Sequence, residues 1–138
     1  MPSTAGPTPQ ELATVAQLRA SLRSFAAATT EVAARNGLTT RQYDLCLLLA
    51  SGQDSLIGRA VADALNLSPN TASELISRAE REGLVKRSAS TRDTRLKPLS
   101  LTAEGRRRFI AAFNDLRPER ARVLAILEES VSLASQLL

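Results

Sequence analysis

Histidine and tryptophan are absent from this 138-residue sequence, and cysteine occurs once, at position 46. Ser-His-Asp triads, Cys-His nucleophile pairs and nearly all zinc sites depend on histidine or on several cysteines, so these chemistries are excluded. A disulfide within the chain is excluded because it needs two cysteines. We therefore predict no cofactor and no metal site, and an enzyme is the least favoured class of function.

Secretory and membrane signals are missing as well. The first ten residues, MPSTAGPTPQ, lack a positive start followed by an apolar core, and no apolar run approaches the length of a membrane span. We expect a cytoplasmic protein with no membrane partner. Its residues 1–8, rich in Pro, Ser and Thr, are expected to be flexible.

Aromatic residues make up only 3% of the chain, and Ala and Leu are abundant. A chain of this length usually forms one domain, and its core is expected to be helical, packed through small and aliphatic side chains.

A long first helix is predicted from Pro9 to about Arg35. Thr8 and Glu11 can cap its start, and Asn36 stops it. Apolar residues recur along it at spacings of three and four. A helix of about 27 residues overshoots a small core, so its apolar surface favours packing against a second subunit. The alternative is a helix bent round its own domain.

Helix signals continue along the chain. Thr39 and Gln42 are predicted to form a capping box for a second, largely apolar helix. A third helix is predicted from Gly58 to Leu65, and a later one begins after Thr102. An apolar last helix, from Pro118 to the C-terminus, is best explained by pairing with the first helix of a partner. The inward-facing residues of the third helix are expected to be Ala60, Val61, Ala64 and Leu65.

The helix from Pro69 to Glu82 has unusually clear bounds and one polar face. Ser68 suits its N-cap, Pro69 its first turn and Gly83 the left-handed residue after its end. Short polar groups near the start and cations further along suit a DNA major groove, with phosphate at the N-terminus. Glu74 could accept a hydrogen bond from cytosine or orient Arg78. The predicted DNA-binding residues of this helix are Ser68, Asn70, Thr71, Ser73, Glu74, Ser77 and Arg78. The alternative is an ordinary solvated helix face.

A basic hairpin is predicted immediately after this helix. Residues 84–108 carry eight Lys or Arg and two Asp or Glu, a net charge of +6, whereas the remaining residues sum to −2. Strands are expected at 84–88 and 96–101, with Pro98 at a sheet edge because it cannot donate to the ladder. A carboxylate beside an arginine can direct it into a narrow minor groove. The predicted DNA-binding residues of the hairpin, or wing, are Arg87, Arg92, Asp93, Arg95 and Lys97. A merely solubilising loop is the alternative.

Three stretches together carry a family resemblance: GLTTRQYDLCLLLA, VADALNLSPNTASELISRAEREGLVKR, and the Asp93-Thr94-Arg95 tip followed by LSLTAEGRR. Over residues 37–108 the chain resembles the MarR family of bacterial winged-helix regulators. The resemblance implies a homodimer whose N- and C-terminal helices intertwine and a recognition helix in the major groove. It also implies that Arg95 enters the minor groove with support from Asp93. Thr94 departs from the family, in which many members have a further Arg there.

The same resemblance implies control by an effector. Many relatives release DNA when they bind a small aromatic or anionic molecule, but no set of residues in this sequence selects a ligand. Other relatives use cysteine oxidation. Cys46 lies in the most apolar stretch of the chain, which favours a buried, inert thiol over a redox sensor.

The predicted fold is mainly α with a small β-hairpin wing, a winged helix-turn-helix flanked by N- and C-terminal dimerisation helices. Residues 37–102 form the predicted DNA-binding region, and 9–36 with 103–138 the dimerisation region. The predicted function is a nucleoid-associated regulator, more specifically a repressor, that binds pseudo-palindromic double-stranded DNA as a homodimer. Its recognition helices would lie about one DNA turn apart, ~34–36 Å. The alternative is a winged-helix module that binds protein and not DNA.

Overall fold

The computed structural model describes residues 5–52, 57–88 and 98–137, with side chains to residue 135. Within these ranges the regular secondary structure consists of helices and one antiparallel pair of short strands, so the predicted fold class is confirmed. The elements are α1 (Pro9–Arg35), α2 (Thr40–Ala50), α3 (Gly58–Leu65), α4 (Pro69–Arg81), β1 (Val85–Arg87), β2 (Leu99–Leu101), α5 (Ala103–Asp115) and α6 (Arg117–Leu137).

The helix caps follow the predicted chemistry. At the start of α1, the Thr8 N–H donates to Glu11 Oε2 (2.7 Å) and the Glu11 N–H donates to Thr8 Oγ1 (3.1 Å). The same reciprocal capping box joins Thr39 and Gln42 at the start of α2. Gly83, just after α4, has φ +75°, the left-handed conformation that glycine adopts without steric cost.

Two compact units make up the chain, residues 30–114 and residues 1–29 with 115–138. In the first unit, α3 packs on α4, and α2 packs on both. Tyr43 and Phe109 have ring centroids 5.4 Å apart and planes tilted by 44°, an aromatic contact within the core. The largest fully buried side chains of this unit are Leu45, Leu49, Ile76, Leu84, Leu99, Val61 and Cys46.

One expectation about α3 is wrong. Ala64 was expected to face the core, but it is exposed, and Ala62 is buried. The face that packs on α4 is centred between Val61 and Ala62, and Ala64 lies about 200° round the helix from Ala62.

The second unit contains most of α1 and α6. Leu12, Val15 and Leu22 on α1 are 46–57% exposed, and Leu124 and Val131 on α6 are 57% and 64% exposed. Among the described residues, no helix is both long enough and apolar enough to cross a membrane.

Candidate nucleic-acid interface

Helix α4 has one buried face and one polar face. Ala72, Leu75, Ile76 and Ala79 form the buried face, as their helical spacing predicts. The exposed side chains of the opposite face are Asn70, Ser73, Glu74, Ser77, Arg78 and Arg81. From Ser73 onwards they line a shallow depression open to solvent. The structure therefore places the predicted recognition residues together on one accessible surface.

The N-terminal end of α4 is closed by a local hydrogen-bond pair. Ser68 Oγ accepts from the Thr71 N–H (3.2 Å), and the two hydroxyl oxygens are 2.9 Å apart. Ser68 is exposed, whereas Thr71 is half-buried. The cap satisfies one free helix N–H, and the helix dipole leaves partial positive charge at this end, which suits a phosphate group.

Arg78 is held from its C-terminal side. Its Nε lies 3.1 Å from Glu82 Oε1, and Gln42 Nε2 donates to Glu82 Oε2 (2.8 Å). These hydrogen bonds, from Gln42 first and Arg78 second, lower the pKa of Glu82. Glu74, which one hypothesis gave the role of orienting Arg78, makes no ion pair within the described residues. The carboxylate that orients Arg78 is therefore Glu82.

Arg87, one of the predicted wing residues, is largely buried and forms an ion pair within the domain. It belongs to β1, its side chain is only 16% exposed, and its Nε lies 3.1 Å from Glu80 Oε1 on α4. The pair ties the first strand of the hairpin to the recognition helix. Its direct contact with DNA stays a prediction.

The tip of the wing lies outside the described residues, which stop at residue 88 and resume at residue 98. The predicted positions Arg92, Asp93, Arg95 and Lys97 all fall there. The described stem is an antiparallel pair with the register Val85 to Leu101, Lys86 to Ser100 and Arg87 to Leu99. The Ser88 N–H donates to the Pro98 carbonyl (2.8 Å), so the stem stays paired up to the start of the tip.

Two cations of the basic window form ion pairs with a carboxylate of the same window. Glu104 forms ion pairs with Arg107 (2.6 Å) and Arg108 (2.8 Å), and these two contacts lower its pKa to about 2. Arg108 also donates from Nη1 to the Gly37 carbonyl (3.1 Å). Glu104 is already subtracted in the net charge of +6, so these contacts leave that charge unchanged and restrain the directions of Arg107 and Arg108. Lys86 and Arg106 remain exposed.

The stem of the hairpin is fastened to α5 through Thr102. The Thr102 hydroxyl lies 2.5 Å from the Gly83 carbonyl oxygen and 3.1 Å from that of Leu84, and it accepts from the Gly105 N–H (3.0 Å). The Leu-Thr-x-x-Gly segment of the sequence is thus a junction of α4, β1 and α5. This junction sets where the wing leaves the domain.

The described residues were compared with the requirements of a metal site and of a reactive thiol. No group of three or more potential metal ligands is found among them. Cys46 is 1% exposed, and burial raises the pKa of its thiol to about 12. A neutral buried thiol is a poor nucleophile, which supports the inert interpretation over the redox one.

The sequence did not reveal that Gln42, Glu80, Glu82 and Gly105 support this surface. Gln42 was recognised only as a capping residue, because its bond to Glu82 spans 40 positions. For Gly105 a signal existed in the Leu-Thr-x-x-Gly pattern. Glu80 and Glu82 showed none, since acidic residues at the end of a helix are common on solvated surfaces.

Solved structures with this architecture exist, although no family model and no curated protein matches the sequence. One is a mutant of MepR from Staphylococcus aureus bound to an oligodeoxyribonucleotide (TM-score 0.65, 23% identity, covering 89% of this chain and 91% of that one). Another is MarR from S. aureus in complex with salicylate and kanamycin (TM-score 0.69, 16% identity, covering 84% and 81%). A third is a MarR-family transcriptional regulator from a Rhodococcus species (TM-score 0.67, 23% identity, covering 87% and 86%). The resemblance predicted from the sequence is confirmed at this level: the chain has the winged-helix fold of MarR-family transcriptional regulators.

Proposed function

We propose that this protein is a transcriptional regulator that binds pseudo-palindromic double-stranded DNA as a homodimer and acts as a repressor. The observation that carries the proposal is the exposed polar face of α4, capped by Ser68 and ending in cations. The MepR structure with this fold was solved with a bound oligodeoxyribonucleotide, which supports the same class of partner here. Cytoplasmic, nucleoid-associated localisation follows from that function.

The polar face divides by chemistry into two zones. Asn70, Ser73 and Ser77 carry short hydrogen-bonding groups that suit base edges in the major groove. Arg78 and Arg81 lie further along the helix and suit phosphate oxygens. Glu74 can accept from a cytosine amino group.

The wing supplies the second set of proposed contacts. Arg95, with Asp93 beside it, is assigned to the minor groove, where negative potential is strongest in narrow segments. Arg92 and Lys97 are assigned to phosphate. All four lie outside the described residues, so these assignments rest on sequence and on the resemblance.

A homodimer accounts for the apolar side chains that α1 and α6 expose in their unit. Scattered exposed apolar residues are normal, but Leu12, Val15, Leu22, Leu124 and Val131 are concentrated on the two helices of one unit. Covering them with the same helices of a second copy would remove this surface from water. Sedimentation of the purified chain measures the assembly, and a monomer at micromolar concentration would contradict the proposal.

The decisive experiment is selection of bound fragments from genomic DNA, followed by affinity measurement on the selected site. We expect an inverted repeat and an affinity that falls steeply with salt, because Lys and Arg contacts release counterions. A protein-binding module would select no sequence. Repression would then be tested with a reporter gene placed behind the selected site.

Three substitutions locate the interface on the selected site. Arg95→Ala should weaken binding strongly while the protein stays folded, and unchanged binding would refute the wing assignment. Ser73→Ala or Ser77→Ala should change the preferred sequence. A uniform loss over all sequences would instead assign those hydroxyls to phosphate.

A small aromatic or anionic effector is the second part of the proposal. A groove of about 760 Å³ lies between α3, α4 and β1, and its largely apolar lining also includes two cations, Arg59 and Arg87, and one carboxylate, Asp63. The S. aureus MarR structure was solved with salicylate, an aromatic anion. Benzoate in a thermal-shift assay is a suitable probe. Its stabilising effect should shrink in Arg59→Gln, and an equal shift in both proteins would place the site elsewhere.

A further inference from the structure

Gln42 is a buried polar residue whose hydrogen bonds point in two directions. The residue lies in the first turn of α2 and is only 2% exposed. Its Oε1 accepts from the Thr39 N–H (3.0 Å), and its backbone N–H donates to Thr39 Oγ1 (3.1 Å). This capping box uses only the amide oxygen, so the amide nitrogen is left for a contact outside α2.

That outside contact is Glu82, the residue that caps the C-terminal end of α4. Gln42 Nε2 donates to Glu82 Oε2 (2.8 Å), and Arg78 Nε binds the other carboxylate oxygen (3.1 Å). The two oxygens of one carboxylate are thus divided between a buried donor and an exposed one. Arg78 has 64% of its side chain exposed, and Glu82 has 38%.

An exposed Arg–Glu pair one helical turn apart orients its side chains only weakly, because both partners keep most of their rotamer freedom. Here the carboxylate is fixed from the opposite side by a donor that belongs to a different helix. With Glu82 fixed, the guanidinium of Arg78 is restrained to one side of α4. Because Gln42 belongs to the first turn of α2, the direction of Arg78 then depends on the position of that turn.

We propose that Gln42 is a positioning residue for DNA recognition, acting through Glu82 to hold Arg78 in the direction that meets the DNA backbone. The proposal rests on the function proposed above, because it needs Arg78 at the interface. It assigns a buried residue outside the recognition helix and the wing a share in operator affinity.

The test is a double-mutant cycle on the selected operator. Gln42→Met keeps a buried side chain of similar volume but removes both the donor to Glu82 and the acceptor of the Thr39 N–H. We expect it to weaken binding by about fivefold with Arg78 present, within the range of oriented surface pairs. In the Arg78→Ala background the same substitution should have no further effect. Arg78→Ala alone should also reduce the slope of log affinity against log salt by about 1, as expected for one lost phosphate contact.

Thr39→Ala is the matched control for damage to α2. It removes the hydroxyl that accepts from the Gln42 N–H but leaves the Gln42 amide nitrogen free to bind Glu82. Both Thr39→Ala and Gln42→Met are expected to lower the midpoint of urea unfolding. Only Gln42→Met should lower the affinity of the folded protein for the operator.

The outcomes separate the two proposals. Equal losses from Gln42→Met with and without Arg78, or equal losses from Thr39→Ala, would mean that Gln42 acts through stability alone and would overturn the inference. Unchanged binding by Gln42→Met would overturn it as well. If Arg78→Ala has no effect on an operator that the protein does select, the positioning role is refuted while DNA binding stands. A chain that selects no sequence would overturn the proposed function.

Discussion

Gly105, in the first turn of α5, lies so close to the backbone of Leu84 that a Cβ atom at position 105 would overlap the Leu84 carbonyl oxygen. Leu84 is fully buried and directly precedes β1. Its carbonyl also accepts from the Thr102 N–H (3.0 Å). The glycine therefore allows α5 to start against the strand that leads into the wing.

Gly105→Ala should be among the most destabilising single substitutions in this chain. Neither partner of the overlap is a flexible side-chain end, so relief requires a shift of α5 or β1, at a cost of about 3 kcal/mol or more. Urea unfolding measures the loss. Gly58→Ala is the control, because a Cβ there meets only Ile76 Cδ1 at an ordinary 3.5 Å, and its effect should stay within about 0.5 kcal/mol. Equal effects at the two glycines would contradict the close approach.

Local features of this fold can be predicted from sequence, whereas contacts between distant positions cannot. Caps and turn residues act within four positions, so Thr8, Ser68 and Gly83 revealed the bounds of their helices. The buried face of α4 followed from helical periodicity in the same way. Contacts between distant positions have no such local signal. Hence Gln42 with Glu82 and Arg87 with Glu80 were not predictable, although each fixes a residue of the candidate interface.

Ser68 at the N-cap of α4 and Ser73 within the helix are expected to have different roles, Ser68 in the stability of the helix and Ser73 in DNA recognition. Ser68→Ala removes the acceptor of the Thr71 N–H and should cost about 1 kcal/mol of unfolding free energy. Ser73→Ala, on the exposed face five residues later, should leave stability unchanged and alter sequence preference. Chemical denaturation and binding to a panel of operator variants measure the two effects. A stability loss in Ser73→Ala as large as that in Ser68→Ala would argue against the cap.

The pair formed by Arg87 and Glu80 is expected to fasten β1 to α4. Arg87→Ala should lower the unfolding free energy by about 1 kcal/mol, because the side chain is mostly buried and its loss also removes packing of its aliphatic stem. The variant Glu80→Gln supplies the second arm of a double-mutant cycle. A coupling energy of about 0.5 kcal/mol or more would establish the pair, and additivity would mean that the two residues act independently.

Cys46 should not react in the native protein. The thiolate is the reactive form, and a pKa of about 12 leaves almost none of it at pH 8. A thiol reagent should label the native chain far more slowly than the urea-unfolded chain. Peroxide should leave operator affinity unchanged in wild type and in Cys46→Ser alike. A peroxide effect that disappears in Cys46→Ser would restore the redox-sensor alternative.

Glu104 should make stability depend on acid pH. Its pKa is lowered from 4.5 to about 2 by Arg107 and Arg108, so the folded protein binds its proton less tightly than the unfolded chain does. The carboxylate therefore stabilises the fold fully above pH 4.5, and this contribution is lost as pH falls from 4.5 towards 2.

Glu104→Gln should be less stable than wild type at pH 7, and the difference should shrink as pH falls from 4.5 towards 2. Urea unfolding at pH 7, 5 and 3 measures it. Glu74→Gln is the control, because Glu74 makes no ion pair in the described part of the chain. A Glu104→Gln difference that stayed constant down to pH 3 would show that the ion pairs do not contribute to folding.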